Sequence, residues 1–204
     1  MIVTKYTKLI HVSDAIKNGV YACKLDALND PFEFEGIKNP NNYRVCCLTS
    51  SDKKMLMWAY YGNHRECSIQ FEIPDDYLKK VEYVEYFNTH RYMDSETIIE
   101  SLYRKGKEWE WEKEYRAVYS KEDTDKNKWL CVNDKCFLRA KVKQITFAVL
   151  AHKNELYQKT LKTIKKFNDS HTEMITVKKM IIKDTSSKYE LVFDPQYKYE
   201  EEIE

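Results

Sequence analysis

Apolar and polar positions alternate in several short segments of the chain, which predicts β-strands. In the segment CSIQFEI, every second residue from Cys67 to Ile73 is apolar, so one face of an extended chain is hydrophobic there. Comparable runs predict further strands in IVTKYT, VYACKL, RVCCLT, KVEYVEYF, EYRAVYS and YELVF.

A spacing of three to four residues between apolar positions predicts helices elsewhere. LIHVSDAIKNG places Leu9, Val12 and Ile16 on one face and ends at Gly19. SSDKKMLMWAYYG has a serine cap and a terminal glycine, and we predict core positions for Met55, Leu56 and Ala59. The segments that predict a β-α-β unit are VKQITFAVLA, KNELYQKTLKTIKKFN and EMITVKKMII.

Strands and helices mix without strict alternation, and this predicts an α+β fold. We expect a single domain over residues 1–198, with a twisted mixed or antiparallel sheet flanked by helices. The acidic tail, residues 199–204, is predicted to be frayed.

Composition narrows the class of protein. The 204 residues carry a net charge of +1, which gives no overall field toward nucleic acid or membrane. No apolar run approaches a membrane span, and the N-terminus lacks a signal-peptide pattern, so we expect a cytoplasmic protein. The six cysteines form no CxxC motif, which predicts buried thiols of a cytosolic protein and no metal site.

The segment EWEWEKEYR carries the most conspicuous acidic pair, Glu112 and Glu114, at the predicted start of a strand. Two interpretations stay open. The carboxylates lie on a solvated edge and pair with Lys113, Arg116 or other cations, or they are aimed at a ligand.

Two further segments hold candidate side chains. In LNDPFEFE, Asn29 and Asp30 favour a turn, and the functional alternative places both in a cleft with Glu33 and Glu114. Asp30, Glu33 and Glu35 are also an alternative divalent-cation site. In the helix MLMWAYYGNH, aromatic side chains with polar ends are suited to a nucleotide pocket, and the candidates are Trp58, Tyr61 and His64.

The same segments resemble a known family. KYTKLIHVSDAIKNGVYACKLDALNDPFEFE is similar to the N-terminal signature of the DUF2971 family, and CCLTSSDKKMLMWAYYGNHRECSIQFEI, WEKEYRAV and VKQITFAVLAH resemble its later blocks in order. The resemblance covers most of the chain.

The layout resembles, more distantly, the ADP-ribosyltransferase fold, and this implies NAD as a substrate. On that resemblance Lys5, Tyr6 and Thr7 occupy the first motif, Thr49, Ser50 and Ser51 the second, and Glu112 and Glu114 the third. Glu114 would stabilise the positive charge that develops on C1′ of the ribose as nicotinamide leaves. Lys5 departs from the pattern, because arginine or histidine is usual at its position and lysine lacks the bidentate fork.

These observations leave competing functions. The first is an NAD-dependent ADP-ribosyltransferase-like enzyme, in toxin or phage-defence biology, with a protein or nucleic-acid acceptor and Arg116 among its substrate-binding residues. The second is a non-catalytic nucleotide- or protein-binding module on the same fold, which the departure at Lys5 favours. A nuclease is disfavoured, because the chain contains no Glu-x-Lys motif. An enzyme requires Glu114 in a cleft near Tyr6 and Ser50, whereas a structural strand leaves the glutamates exposed or fully paired.

Overall fold

The structure is a computed structural model that describes residues 1–50, 55–85, 95–185 and 188–204. Its strands are β1 (Ile2–Thr7), β2 (Val20–Lys24), β3 (Tyr43–Thr49), β4 (Cys67–Glu72), β5 (Lys79–Lys80), β6 (Glu82–Val84), β7 (Arg104–Gly106), β8 (Glu114–Ser120), β9 (Trp129–Val132), β10 (Lys135–Leu138), β11 (Lys141–Phe147), β12 (Thr176–Thr185) and β13 (Lys188–Phe193). Its α-helices are α1 (Val12–Asn18), α2 (Met55–Gly62), α3 (Ser95–Ser101) and α4 (Tyr157–Ser170).

Contacts within the chain divide it into two compact units. Unit 1 consists of Met1, Asn18–Ser50 and Ile73–Ala140. Unit 2 consists of Ile2–Lys17, Ser51–Glu72 and Lys141–Glu204. Both units combine helices with a sheet, so the predicted α+β class is confirmed.

Unit 1 is built on an antiparallel sheet in the order β9-β10-β2-β3-β8-β5. The longest pairing joins β3 to β8, from Tyr43 opposite Ser120 to Thr49 opposite Glu114. A separate parallel pair is formed by β6 and β7. Strand β8 thus lies between β3 and β5, and it carries two of the predicted site residues, Glu114 and Arg116.

The core of unit 1 lies between this sheet and α3. Apolar side chains from β3, β8, the segment after β2 and α3 are almost completely buried together, and they include Leu25, Val45, Val118, Ile98 and Leu102. Leu102 directly follows α3, so its burial holds the start of β7 beside the sheet.

The hairpin of β9 and β10 was not predicted from the sequence. Its two turn residues, Asn133 and Asp134, both have positive φ, as a tight hairpin turn requires. Cys131 lies opposite Cys136 in the hairpin, and the two form a disulfide. The prediction that all six cysteines are free thiols is therefore wrong for this pair.

Unit 2 contains a mixed sheet in the order β13-β12-β11-β4-β1. Strands β11 and β12 are parallel and are joined through α4, which confirms the predicted β-α-β unit. The helix buries one face, and from that face the ring of Tyr157 meets the ring of Phe147, the last residue of β11, edge to face with centroids 4.9 Å apart.

The periodicity predictions in unit 2 have different outcomes. The alternating face of CSIQFEI is buried as predicted. In α2 the prediction is wrong, because Met55, Leu56 and Ala59 are exposed while Met57 and Trp58 are buried. Nearly every residue of this short helix is apolar, so the sequence did not distinguish its buried face.

The acidic tail forms a turn of 3-10 helix at Tyr199–Glu202 where the sequence predicted fraying. Tyr199 is buried, and Glu202 accepts a hydrogen bond from the Tyr157 hydroxyl at 2.6 Å. Glu202 also forms an ion pair with Lys179 at 3.0 Å. These contacts hold the tail against α4 and β12.

Candidate functional site

The two predicted catalytic glutamates lie on either side of a backbone turn. Glu112 is the last residue of a 3-10 helix, Lys107–Glu112, and β8 begins at Glu114. Lys113 between them has φ +49°, in the left-handed region. Thr49 fixes this turn, because its hydroxyl donates to the Glu112 carbonyl oxygen at 2.6 Å. The expectation that both glutamates share one strand is therefore wrong.

Arg116 holds the Glu114 carboxylate. The two residues are two positions apart on β8 and so lie on the same face of the strand. Arg116 Nε donates to Glu114 Oε1 and Nη2 donates to Oε2, each at 2.8 Å. This is the bidentate geometry that suits a guanidinium and a carboxylate. Nη1 of Arg116 donates to the Leu102 carbonyl oxygen at 2.8 Å.

Lys105, on β7, brings the carboxylates together. Its Nζ lies 2.6 Å from Glu112 Oε2, 3.4 Å from Glu114 Oε2 and 3.9 Å from Glu33 Oε2. Nζ also donates to Asn29 Oδ1 at 3.3 Å. The ring of Trp109 covers the ammonium group at 4.8 Å, which is a cation–π contact.

Glu33 comes from the LNDPFE segment. Asp30 caps the 3-10 helix Pro31–Glu33 by accepting a hydrogen bond from the Phe32 N–H at 3.0 Å, so the predicted turn chemistry also orients Glu33. Glu33 Oε1 forms an ion pair with Arg116 Nη2. Among the described residues, neither Glu33 oxygen has a hydrogen-bond partner of good geometry.

We call these five residues, Glu33, Lys105, Glu112, Glu114 and Arg116, the carboxylate cluster. Each has a relative exposure of 3% or less. Three carboxylates face two cations, so the cluster carries a formal charge of −1 when every group is ionised. Unpaired buried charge is costly, so one carboxyl is expected to favour its neutral form.

The pKa values of the cluster follow this charge balance. Burial raises the pKa of Glu33 to about 7, and its contacts with Arg116 and Lys105 offset only part of that shift. Burial acts in the same direction on Glu114, but Arg116 and Lys105 outweigh it and lower the pKa to about 2. The pKa of Lys105 is raised above its ordinary value, because Glu114, Glu33 and Glu112 together outweigh burial.

A cysteine adjoins the cluster from β3. Cys47 lies opposite Arg116 in the β3–β8 pairing and its thiol hydrogen-bonds Glu114. A hydrogen bond with Cys23, together with burial, raises the pKa of Cys47 well above its ordinary value. The thiol is therefore a neutral donor to the ionised carboxylate.

Several predicted site residues thus lie together in unit 1: Asn29, Glu33, Glu112, Glu114 and Arg116, with Asp30 at the cap of the segment that carries Glu33. Ser50 is also in unit 1 but is exposed, and it lines a separate surface cavity.

The other predicted site residues belong to unit 2. Tyr6 and Trp58 are buried there in an edge-to-face contact, with centroids 4.9 Å apart. The Trp58 indole N–H has no acceptor among the described residues. The remaining four are half-buried: Lys5, Thr7, Tyr61 and His64.

Lys105 is the cluster residue that the sequence did not reveal. Lys105 lies on the short strand β7, in a segment for which the sequence predicted no strand. The available signal was the acid excess at Glu33, Glu112 and Glu114, because Arg116 alone cannot neutralise three buried carboxylates.

The geometry does not support the alternative of a divalent-cation site at Asp30, Glu33 and Glu35. Within the described part of the chain, no three His, Cys, Asp or Glu side chains are arranged to hold a metal ion. Glu33 contacts Arg116 instead, and Glu35 is exposed.

In the ranges that the structure describes, no helix combines the length and apolar character that a membrane crossing requires. Comparisons of the chain with protein-family models, with curated proteins and with solved structures found no match in any of the three.

Proposed function

We propose that the protein is an NAD-dependent ADP-ribosyltransferase-like enzyme whose chemistry is centred on the carboxylate cluster. Glu114 stabilises the positive charge that develops on C1′ of the ribose. The bond from C1′ to the pyridinium nitrogen breaks, and nicotinamide leaves as a neutral molecule with the bonding electron pair. Glu33 accepts the proton of the acceptor nucleophile as the nucleophile attacks C1′.

The observation that carries this proposal is the separation of two pKa values within one cluster. Glu114, with a pKa of about 2, is ionised throughout the physiological range, as a group that stabilises a cation must be. Glu33, with a pKa of about 7, exchanges a proton near neutral pH. Paired carboxyls whose environments push their pKa values apart are a common arrangement of acid–base sites.

The energetics of the cluster support a functional role. Five ionisable side chains occupy positions of unit 1 that are almost inaccessible to solvent. A buried ionic group is often no more stable than well-packed apolar side chains of similar volume. Stability alone therefore does not account for so many charges at one place.

A second candidate function is a non-catalytic binding module. It is favoured by the hydrogen bonds that already occupy the Glu114 carboxylate. Both of its carboxylate oxygens accept hydrogen bonds from Arg116, and Oε2 also contacts Lys105. On this alternative the cluster fixes the conformation of unit 1, and a nucleotide or protein binds without turnover.

Nicotinamide release from NAD tests the proposal, with wild type compared with Glu33→Gln and Glu114→Gln. We expect Glu114→Gln to reduce the rate of release by about 100-fold or more, because the positive charge on C1′ in the transition state loses the carboxylate that stabilises it. In wild type the rate should rise near pH 7 as Glu33 ionises and becomes able to accept a proton. We expect Glu33→Gln to remove this rise. Glu35→Gln, an exposed glutamate two residues from Glu33, is the control and should leave the rate unchanged.

Circular dichroism and thermal unfolding establish that each variant is folded. Release by wild type that neither glutamine variant alters would contradict the proposal. NAD binding without any release would instead support the binding module, and Glu33→Gln gives an independent reading if Glu114→Gln does not fold.

A further inference from the structure

A surface cavity of about 620 Å³ opens in unit 1, outside the carboxylate cluster. Residues of β5, β6 and β8 and of the turn before β8 line it, among them Ser50, Lys80, Tyr83, Lys113 and Tyr115. Its volume is in the range of pockets that hold small organic ligands. None of the five cluster residues lines this cavity.

The unpaired charges in the cavity wall are positive. Glu82 forms an ion pair with Arg104 at 3.4 Å, and Glu110 forms one with Lys107 at 2.9 Å. Lys80 and Lys113 have no such partner within the described ranges. Since the acids are neutralised and the lysines are not, the wall is suited to an anion.

Backbone hydrogen bonds fix the positions of both lysines, and the Lys113 N–H donates to the Glu110 carbonyl oxygen at 3.2 Å. Lys80 lies opposite Tyr115 where β5 pairs with β8, and the next residue, Val81, donates its N–H to the Glu114 carbonyl oxygen at 3.0 Å. Lys113 has the left-handed conformation described above, which is unfavourable for a lysine. Backbone strain of this kind is concentrated at functional sites.

The aromatic part of the wall provides a donor and flat surfaces. The Tyr83 hydroxyl accepts a hydrogen bond from the Glu114 N–H at 2.8 Å, so its own hydrogen is left to donate. Burial raises the pKa of Tyr83 to about 12, which keeps that hydrogen in place at neutral pH. The rings of Tyr83 and Tyr115 are both half-buried and are suited to contact a planar base.

We infer that this cavity binds a nucleoside phosphate, with Lys80 and Lys113 at the phosphate and the tyrosines at the base. Two unpaired lysines recognise the charge, and the paired acids do not oppose it. The inference does not depend on ADP-ribosyl transfer, because the cavity and the cluster have no residue in common.

Titration calorimetry with ADP, adenosine and inorganic phosphate tests the inference on the full chain at low salt. We expect wild type to bind ADP at least about tenfold more tightly than adenosine or phosphate. Lys80→Gln and Lys113→Gln should each weaken ADP binding by about tenfold, because each removes a charged hydrogen-bond donor. Adenosine binding should change little.

Lys24→Gln is the matched control, an exposed lysine on β2 of the same unit. It should bind ADP as wild type does. Absence of ADP binding, equal affinity for ADP and adenosine, equal affinity for ADP and phosphate, or unchanged binding by the Lys80→Gln/Lys113→Gln double variant would each overturn the inference. Nicotinamide release is measured separately, so ADP binding lost in the lysine variants with release unaffected would separate the two proposals.

Discussion

The Arg116 side chain contacts residues from three separate segments of the chain. Its guanidinium binds Glu114 through two hydrogen bonds, forms an ion pair with Glu33 and donates to the Leu102 carbonyl oxygen. Burial acts to lower the pKa of Arg116, but Glu114, Cys47 and Glu33 outweigh it and raise the pKa well above the ordinary value of arginine. Lysine at this position would supply the charge but not the fork.

Removal of Arg116 is expected to destabilise the protein strongly. Arg116→Met leaves Glu114 and Glu33 buried beside Lys105 alone, and we expect the free energy of unfolding to fall by about 3–5 kcal/mol. Arg116→Lys should recover part of the loss. Urea denaturation followed by circular dichroism measures the change.

The control for Arg116 is Arg104→Met. Arg104 is half-exposed and pairs with Glu82 at 3.4 Å, so its loss should cost less than about 1 kcal/mol. Equal losses in the two methionine variants would show that the buried contacts of Arg116 contribute nothing beyond a surface pair.

Glu33 makes stability depend on pH in the direction opposite to that of Glu114. The pKa of Glu33 is raised on folding, so between about pH 4.5 and 7 the folded state binds a proton that the unfolded state has released. Its contribution is therefore present at low pH and is lost as the pH rises through 7. Glu114, whose pKa is lowered to about 2, contributes above about pH 4.5 and loses its contribution as the pH falls toward 2.

We expect Glu33→Gln to abolish the fall in stability between pH 4.5 and 7. In wild type that fall should be of the order of 3 kcal/mol at most, since one pKa unit corresponds to about 1.4 kcal/mol. Chemical denaturation at intervals across this range measures it. Glu35→Gln should retain the wild-type profile, and a fall that persists in Glu33→Gln would assign the titration to another group.

Among the residues of the carboxylate cluster, the sequence indicated those that lie in a recognisable motif or turn segment. Glu112, Glu114 and Arg116 follow from EKEYR, and Glu33 follows from the turn signal of LNDPFE. Lys105 did not, because a single lysine in a polar stretch has no local signature and its partners are distant along the chain.

At the scale of elements, the start of β8 shows what periodicity does and does not specify. The strand EYRAVYS was predicted with its observed bounds. The 3-10 helix before it was not predicted. Lys113, which directly follows this helix, adopts a left-handed conformation, and a lysine in the sequence gives no indication of that conformation. The two glutamates consequently converge on Lys105 through a turn.

The β9–β10 hairpin permits a direct chemical prediction. Because Cys131 and Cys136 are bonded, the unfolded, unreduced protein should show four reactive thiols: Cys23, Cys46, Cys47 and Cys67. Reduction should raise the number to six. Thiol titration in denaturant, before and after reduction, measures both numbers.

A Cys131→Ser/Cys136→Ser double variant is the control for this count. It should show four thiols whether or not it has been reduced, because the free cysteines are unchanged. Six thiols in the unreduced wild type, purified without reductant, would contradict the disulfide.

For the whole molecule, the sequence predicted the α+β class but not the division into units. Unit 1 takes its residues from Asn18–Ser50 and Ile73–Ala140 as well as Met1, and unit 2 takes the segments between and after them. The sequence shows no internal linker at these boundaries. Long-range pairing therefore defines the units, and a local pattern cannot indicate it.

This interleaving predicts that a contiguous piece of unit 1 does not fold. A fragment of residues 73–140 contains Lys105, Glu112, Glu114 and Arg116 but lacks Glu33 and the partner strand β3. We expect circular dichroism to show an unfolded chain, because β8 has lost the partner of its whole length. Cooperative thermal unfolding of the fragment would contradict this.

The same interleaving sets an order of events on the ribosome. Every residue of unit 1 has been synthesised by Ala140, whereas unit 2 still lacks β11, α4, β12 and β13. At about 5–20 residues per second, those last elements follow over roughly 3–13 s. During that interval β4 has β1 as a partner but not β11, so the nascent chain presents an unpaired strand edge to chaperones and neighbouring chains.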